Sequence, residues 1–312
     1  MDISFDRILI IADIEGSSGC WSYRASSFLT REWSRACLEM TKDVAAVVAA
    51  LFAAGVRQIV VKDFHRTGYN LLPELIDRRA HIVSGYRREP VPGIGAVDDL
   101  QAVMLIGLHA ASGTNGFLPH TLTSRLQKVE VNGKPLPEVA FFCASLAPYG
   151  IRPVFFSGCP LACRQAEEII PDLSTYTIDK ANPQNGFDAD SWRAGLARAA
   201  TKSLKNRNTL PYHPAGPFHA VITIRDGARM ARKMSRRWNF DCQGSQVFIE
   251  SADIHGLYDK LIRLCYLTPA LEKHLPLALW IFNLKGRIGL AWVRRQLRKS
   301  QPFTGSGFNV QG

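Results

Sequence analysis

The stretch ILIIADIEGSSG, residues 8–19, decides how the chain reads. Five apolar or small residues, Ile8 to Ala12, run without alternation and then stop on Asp13-Ile14-Glu15-Gly16. An unbroken apolar run of this length predicts a strand covered on both faces, as in a parallel sheet. Carboxylates closing such a strand are costly to bury unless something compensates their charge. Two of them, two positions apart and followed by glycine, therefore call for a partner.

Working outward, the same pattern recurs. Residues 58–62 (QIVVK) lead into Asp63-Phe64-His65, and residues 102–108 (AVMLIGL) lead into His109. Between the first two runs, residues 41–54 (TKDVAAVVAALFAA) predict a helix that Gly55 stops. Residues 129–136 (VEVNGKPL) predict a hairpin, because Asn132-Gly133 is the strongest two-residue turn signal. A helix is expected over 138–149, a buried strand over 153–157 (PVFFS) and a helix over 160–170, ended by Pro171. Alternating strands and helices predict an α/β fold with a mostly parallel, doubly wound sheet over residues 1–180. Next come a loop at 182–187 (NPQNGF), a helix at 190–204 and a Pro-rich linker at 206–217. Strands at 218–224 and 246–250 and a helix at 254–267 follow, so residues 181–270 read as a smaller C-terminal α+β region. Residues 271–312 read as a basic amphipathic helical tail.

The 312 residues are 46% hydrophobic and 21% charged, a balance that supports a sizeable core and argues against disorder. The net charge of +11 is uneven: residues 251–312 hold nine Lys/Arg against three Asp/Glu, which leaves +6 there. A charge gathered at one end argues against a nucleic-acid face and for a local anionic partner. The seven cysteines are scattered, and Cys159-x-x-x-Cys163 has no second pair to complete a zinc knuckle, so reduced thiols are expected. The first residues carry Asp2 and Asp6 where a signal peptide carries Lys or Arg, and the apolar run 275–282 is too short to span a bilayer. The expectation is a cytoplasmic protein.

In a doubly wound sheet, ligands bind outside the carboxyl ends of the strands. Asp13, Glu15, His65 and His109 would then converge, and Glu138, at a helix start after the hairpin, would enter the same crevice. Two imidazoles and three carboxylates suit zinc or a similar divalent ion. Five ligands exceed one tetrahedral site and fit two metals sharing a carboxylate, which clamp a bridging hydroxide and polarise a carbonyl. Each residue alone has a plainer reading: a strand-end Asp is more often a helix cap, a strand-end His a hydrogen-bonded surface or core residue. Asp63 fits the first of these. The recurrence at strand ends carries the metal reading.

ADIEGSSG (12–19), MTKD (40–43), KDFH (62–65), NLLPE (70–74), IVSG (82–85), GLHA (107–110), PHT (119–121) and VNGKPLPE (131–138) occur in this order. This ordered set resembles the zinc-dependent D-aminopeptidase family, closely over residues 7–180 and more faintly to about residue 270. The resemblance implies two zinc ions per chain, with Asp13 bridging them, Glu15 and His65 completing one site, and His109 and Glu138 the other. It implies that His120, in PHT, is the catalytic base or nucleophile; alone it reads as a loop histidine. It also implies hydrolysis of short peptides, D-configured ones included, inside a ring-shaped homo-oligomer of ten subunits.

The chain departs from the family in three places. The run Glu138-Val-Ala-Phe-Phe-Cys143-Ala lacks the family's helix Asn, and Gly158-Cys159-Pro160 stands where relatives often have Gly-Asp. Both bear on substrate choice. The third is residues 274–299, where six Lys/Arg interleave with Trp280, Phe282, Ile288, Trp292 and Val293. This segment fits a peripheral contact with an anionic membrane; the favoured alternative is a helical pair packed on its own domain or on a neighbouring subunit. Two rival functions remain at this point: a non-catalytic membrane-associated or scaffold protein keeping the fold, and a haloacid-dehalogenase-like phosphatase, in which the strand-end histidines would have no role.

Overall fold

The computed structural model describes residues 3–87, 91, 93–181 and 186–300. Residues 182–185 of the expected loop, residues 301–312 of the expected tail and Asp2 lie outside the described residues.

Six parallel strands form the first sheet: β1 (Arg7–Ala12), β2 (Gln58–Asp63), β3 (His81–Val83), β4 (Ala102–Leu108), and, after two strands of another sheet, β7 (Arg152–Gly158) and β8 (Ser174–Thr177). Their spatial order is β3-β2-β1-β4-β7-β8. The chain winds outward from β1 to β2 and β3, then returns to add β4, β7 and β8 on the other side. The switch point lies between β1 and β4. The sheet is covered on both faces. Ile8, Ile10 and Ala12 enter one core with helix α1 (Arg31–Ala53), while Leu9 and Ile11 enter the opposite one. That second core also takes in helices α2 (Glu138–Leu146) and α3 (Pro160–Ile169). Two covered faces explain why β1, β2 and β4 show no polar alternation.

Helix α1 starts ten residues before the expected one. Trp33, Cys37 and Met40 extend the buried stripe of Val44, Val47, Val48 and Leu51 toward the N-terminus at helical spacing. The intervening Arg35 and Glu39 obscure that stripe in the sequence. Thr30 caps the helix, its Oγ1 accepting from the Trp33 amide at 3.0 Å.

The expected hairpin forms as β5 (Leu126–Val131) and β6 (Lys134–Pro135), with Asn132 and Gly133 at φ 50° and 77°. It belongs to a second, antiparallel sheet ordered β10-β11-β9-β5-β6, completed by β9 (Phe218–Ile224), β10 (Asp241–Gln243) and β11 (Gln246–Ser251). Helices α5 (Gly227–Ser235) and α6 (Ile254–Tyr266) cover this sheet, whereas α4 (Ala189–Ser203) packs beside α1 on the parallel one. Every residue of α2 is buried, because Phe142 and Leu146 face the parallel sheet while Phe141 and Ala144 face the antiparallel core. Glu138 opens this helix and so lies where the two sheets meet. The described residues end in the short α7 (Pro269–Lys273) and the 26-residue α8 (Leu275–Ser300). Among the described residues, no helix is long and apolar enough to cross a membrane.

Candidate metal centre

The three strands with chemistry at their ends are neighbours. β1 lies between β2 and β4, with Ala12 in register with Asp63 on one side and Ile106 on the other. The residues that follow, Asp13 and Glu15, His65, and His109, therefore meet at the switch point, where such folds hold ligands. Gly16 and Gly107 let the first and third strand ends touch: the Gly16 amide donates to the Gly107 carbonyl at 2.7 Å. A Cβ on Gly107, at φ 78°, would meet the Asp13 carbonyl oxygen.

Two groups of donor atoms result, one from Asp13, Glu15 and His65, the other from His109, His120 and Glu138. Within each, the donor atoms lie within 4.8 Å of one another. His65 Nδ1 stands 3.1 Å from Asp13 Oδ1 and 3.0 Å from Glu15 Oε2. His109 Nε2 stands 3.5 Å from Asp13 Oδ2 and 3.7 Å from Glu138 Oε1. Asp13 thus gives one oxygen to each group, the arrangement of a bridging carboxylate. These five residues are at most 8% exposed.

Electrostatics show how strained this cluster is without a cation. Burial pushes the Asp13 carboxyl up, and the Glu15 charge beside it adds to the rise. Glu15 also suffers from burial, but the charge of the adjacent His65 outweighs it and holds the group well below its usual value. Burial alone would lower His65, yet the two carboxylates raise it to about 10. Burial raises Glu138 to about 7. Protons are therefore held between anions in a buried site. Glu15 Oε2 is buried and satisfied by no hydrogen bond. An orphaned carboxylate oxygen facing an imidazole, in a set of two imidazoles and three carboxylates, fits a zinc-type cation. Bound there, the cation would take the place of the protons.

His120 enters on the loop after β4. Its ring stacks on that of His109, centroids 3.7 Å apart, and its Nδ1 donates to the Leu118 carbonyl at 2.9 Å. That bond leaves Nε2 as the basic nitrogen. Burial and the neighbouring His109 hold His120 below its ordinary value, so it is neutral at pH 7.

All six expected residues come together. Of the supports around them, Asp63 was singled out in the sequence as a helix cap, whereas Lys62, Asp43 and Lys180 were not. Asp63 organises the loop carrying His65: its carboxylate accepts from the His65 amide at 3.3 Å, from Asn70 Nδ2 at 2.9 Å, from the Leu71 amide at 2.9 Å, and from the Asn70 amide. Lys62 is fully buried and donates to the carbonyls of Asp63 and Gly85. Asp43, on α1, accepts from the Ser18 amide and hydroxyl, both at 2.7 Å, and from Arg193 Nε at 2.9 Å. Lys180 donates to the Ser17 and Cys20 carbonyls, so two buried charges hold the loop that follows Glu15. The signal for Asp43 was a carboxylate on the apolar stripe of a helix, where burial demands a partner.

Comparison with known proteins gives the fold and the family. A D-aminopeptidase of Bacillus subtilis (strain 168) is 25% identical over 223 residues, covering 70% of this chain and 80% of that protein. The solved structure of the Zn-dependent D-aminopeptidase DppA from Bacillus subtilis, described as a self-compartmentalizing protease, superposes with a TM-score of 0.74 at 20% identity. It covers 82% of this chain and 96% of its own, and establishes the shared fold. The model of the D-aminopeptidase family matches residues 7–260, from the first residue of β1 into α6, a span that contains both sheets and every residue of the cluster. On that match, the chain belongs to the D-aminopeptidase family.

Proposed function

We propose that the protein is a zinc-dependent metallo-aminopeptidase that removes N-terminal residues from short peptides, D-configured ones included. The observation that carries this reading is Asp13, whose two oxygens reach two groups of donors inside one buried cluster. Zinc, when bound, supplies Lewis-acid polarisation of the scissile carbonyl and acidifies water. Two ions per chain fit the donor count, one held by Asp13, Glu15 and His65, the other by Asp13, His109 and Glu138. His120 acts as the general base: neutral, with Nε2 unprotonated, it takes a proton from attacking water and returns it to the leaving amine. The backbone bond from His120 Nδ1 to Leu118 fixes the ring for both transfers.

A second role for His120 is favoured by its place in the second donor group, where it would be a ligand. Zinc content separates the two: His120→Ala keeps its zinc if the residue is a base and loses one ion if it is a ligand. The homo-oligomer is proposed from the self-compartmentalizing relative, with ten subunits in a ring whose sites face an enclosed space.

The test is amine release from a panel of D- and L-aminoacyl dipeptides and tripeptides, comparing the zinc-loaded parent with Asp13→Ala. The parent is expected to exceed the variant by at least about 100-fold, since even residues behind a ligand cost 10–100-fold. Equal rates, or no turnover with zinc bound, would remove the aminopeptidase reading.

A further inference from the structure

Helix α8 lies wholly beyond the family match, which ends at residue 260. It runs about 39 Å at 1.5 Å per residue, and it has two apolar faces. One is seated on the protein. Gly286 and Gly289 give close approach to Tyr69 and to Phe28 and Trp33, while Leu290 and Val293 are buried. Asn283 Oδ1 accepts from the Tyr86 amide at 3.0 Å, and Arg294 makes a paired contact with Glu74, both bonds at 2.8 Å.

The other face is turned away. Leu277, Trp280, Ile281, Leu284 and Ile288 fall at i, i+3, i+4, i+7 and i+11, a stripe on one side of the helix. Gly286, Gly289 and Val293 lie on the opposite side. Trp280 is 62% exposed and Ile288 61%, and the other three are also exposed. A contiguous stripe of five large apolar side chains marks a contact surface. Its surroundings are cationic. Arg287 flanks the stripe, and Arg295, Arg298 and Lys299 continue along the same side toward the C-terminus. From Leu275 to Ser300 there is no Asp or Glu. Among the described residues, Arg287, Arg295, Arg298 and Lys299 form no close ion pair, although the Arg298 charge acts on Glu74, whose carboxylate is bonded to Arg294.

We propose that this outward face of α8 is an interfacial membrane anchor, which lies on an anionic lipid bilayer with the stripe in the acyl–headgroup boundary and the cations on the lipid phosphates. Charge complementarity chooses this occupant. A second copy docking its own α8 here would bring together two helices with cations alone, whereas anionic lipid neutralises both the flank and the end. The packing on α1 and Tyr69 holds the stripe outward before any contact, so no ordering of the helix is required. The helix lies on the membrane and does not span it.

The test is co-sedimentation of the full-length protein with vesicles of phosphatidylcholine alone or with about 30 mol % phosphatidylserine. The parent should bind the anionic vesicles at least about tenfold better, and raised salt should weaken the binding. Ile281→Asp combined with Ile288→Asp should abolish it. Arg295→Gln, Arg298→Gln and Lys299→Gln together should weaken it roughly a hundredfold. All five positions point away from the packed face, so the thermal midpoint should stay unchanged, and a parent-like circular dichroism spectrum checks this. The proposal fails if the parent shows no preference for anionic vesicles, or if the aspartate pair binds them as the parent does. It also fails if the aspartate pair lowers the solution mass, since the stripe would then belong to a second copy.

Discussion

Asp13 concentrates the problem that the fold must solve. Its carboxylate sits among two others in a buried cleft, and protons on His65 and Glu138 offset part of that charge in the protein without metal. Zinc must displace them, because ligands bind in their deprotonated forms. Loading at pH 7 is therefore expected to release about one proton or more per chain, measurable by calorimetry in buffers of different ionisation heat. Zinc affinity should fall with pH from 8 to 6 because His65 must lose its proton, and fall more steeply below 7, where Glu138 takes up a second one; an unchanged slope through pH 7 would show that Glu138 is no ligand. His120→Gln should leave zinc binding intact and lower kcat about 10²–10⁴-fold, the usual span for a general base. Parallel kinetics and zinc analysis on the one variant check both parts. The strand-end pattern named Asp13, Glu15, His65 and His109 as candidates, and the helix start after the hairpin added Glu138. For His120, the residues around it gave no signal beyond the family motif, since a loop histidine shows neither periodicity nor strand position.

At the level of elements, the loop from Glu15 to Cys20 is held from two sides. Asp43 reaches it from α1 together with Arg193 of α4, and Lys180 reaches it from beyond β8. Burial raises Asp43, with Ser18 and Arg193 opposing the rise. Asp43→Ala would leave the Ser18 donors unpaired and Arg193 short of a partner, at a cost of about 3–5 kcal/mol. Urea denaturation should show that loss, with peptide turnover falling as the loop loosens. Burial lowers Lys180 to about 8, below its unfolded value of 10.5. With the folded value the lower, the unfolded chain binds more protons between those values, so stability contributed by Lys180 rises from pH 8 toward 10.5. Lys180→Met should be less stable for want of two hydrogen bonds, yet should lack this rise, worth about 3 kcal/mol in full. Urea midpoints of parent and variant at pH 7.5 and 9.5 measure the difference; parallel pH profiles would place the Lys180 ammonium in water.

For the whole molecule, zinc binding and folding are linked. A cation that binds only the assembled cluster stabilises by mass action, about 4 kcal/mol at a thousandfold excess over Kd. Chelation should lower the thermal midpoint by several degrees, and restored zinc should return it. Asp13→Ala should not respond to chelation, because its cluster lacks the shared carboxylate.

The apolar runs determined the parallel sheet, since strands covered on both faces must be apolar throughout, and β1, β2, β4 and β7 lie where those runs lie. The runs also placed carboxylates and imidazoles at strand ends, which is local information. Short β3, β8 and β10 left no comparable trace, because three or four half-exposed residues bury too little to impose a pattern. Strand order was a tertiary matter. Nothing in the spacing of three runs says that the first lies between the second and third, and that order alone brings His65 and His109 to opposite sides of Asp13. The same holds for the hairpin at Asn132-Gly133. Its turn is local chemistry, whereas its place beside β9, in a sheet built from distant segments, follows from long-range pairing. That pairing sets Glu138 at the junction of the two sheets. The tail showed its cations in the sequence, but only packing decided which apolar side chains of α8 were covered and which were left facing out, because both faces carry apolar residues at helical spacing.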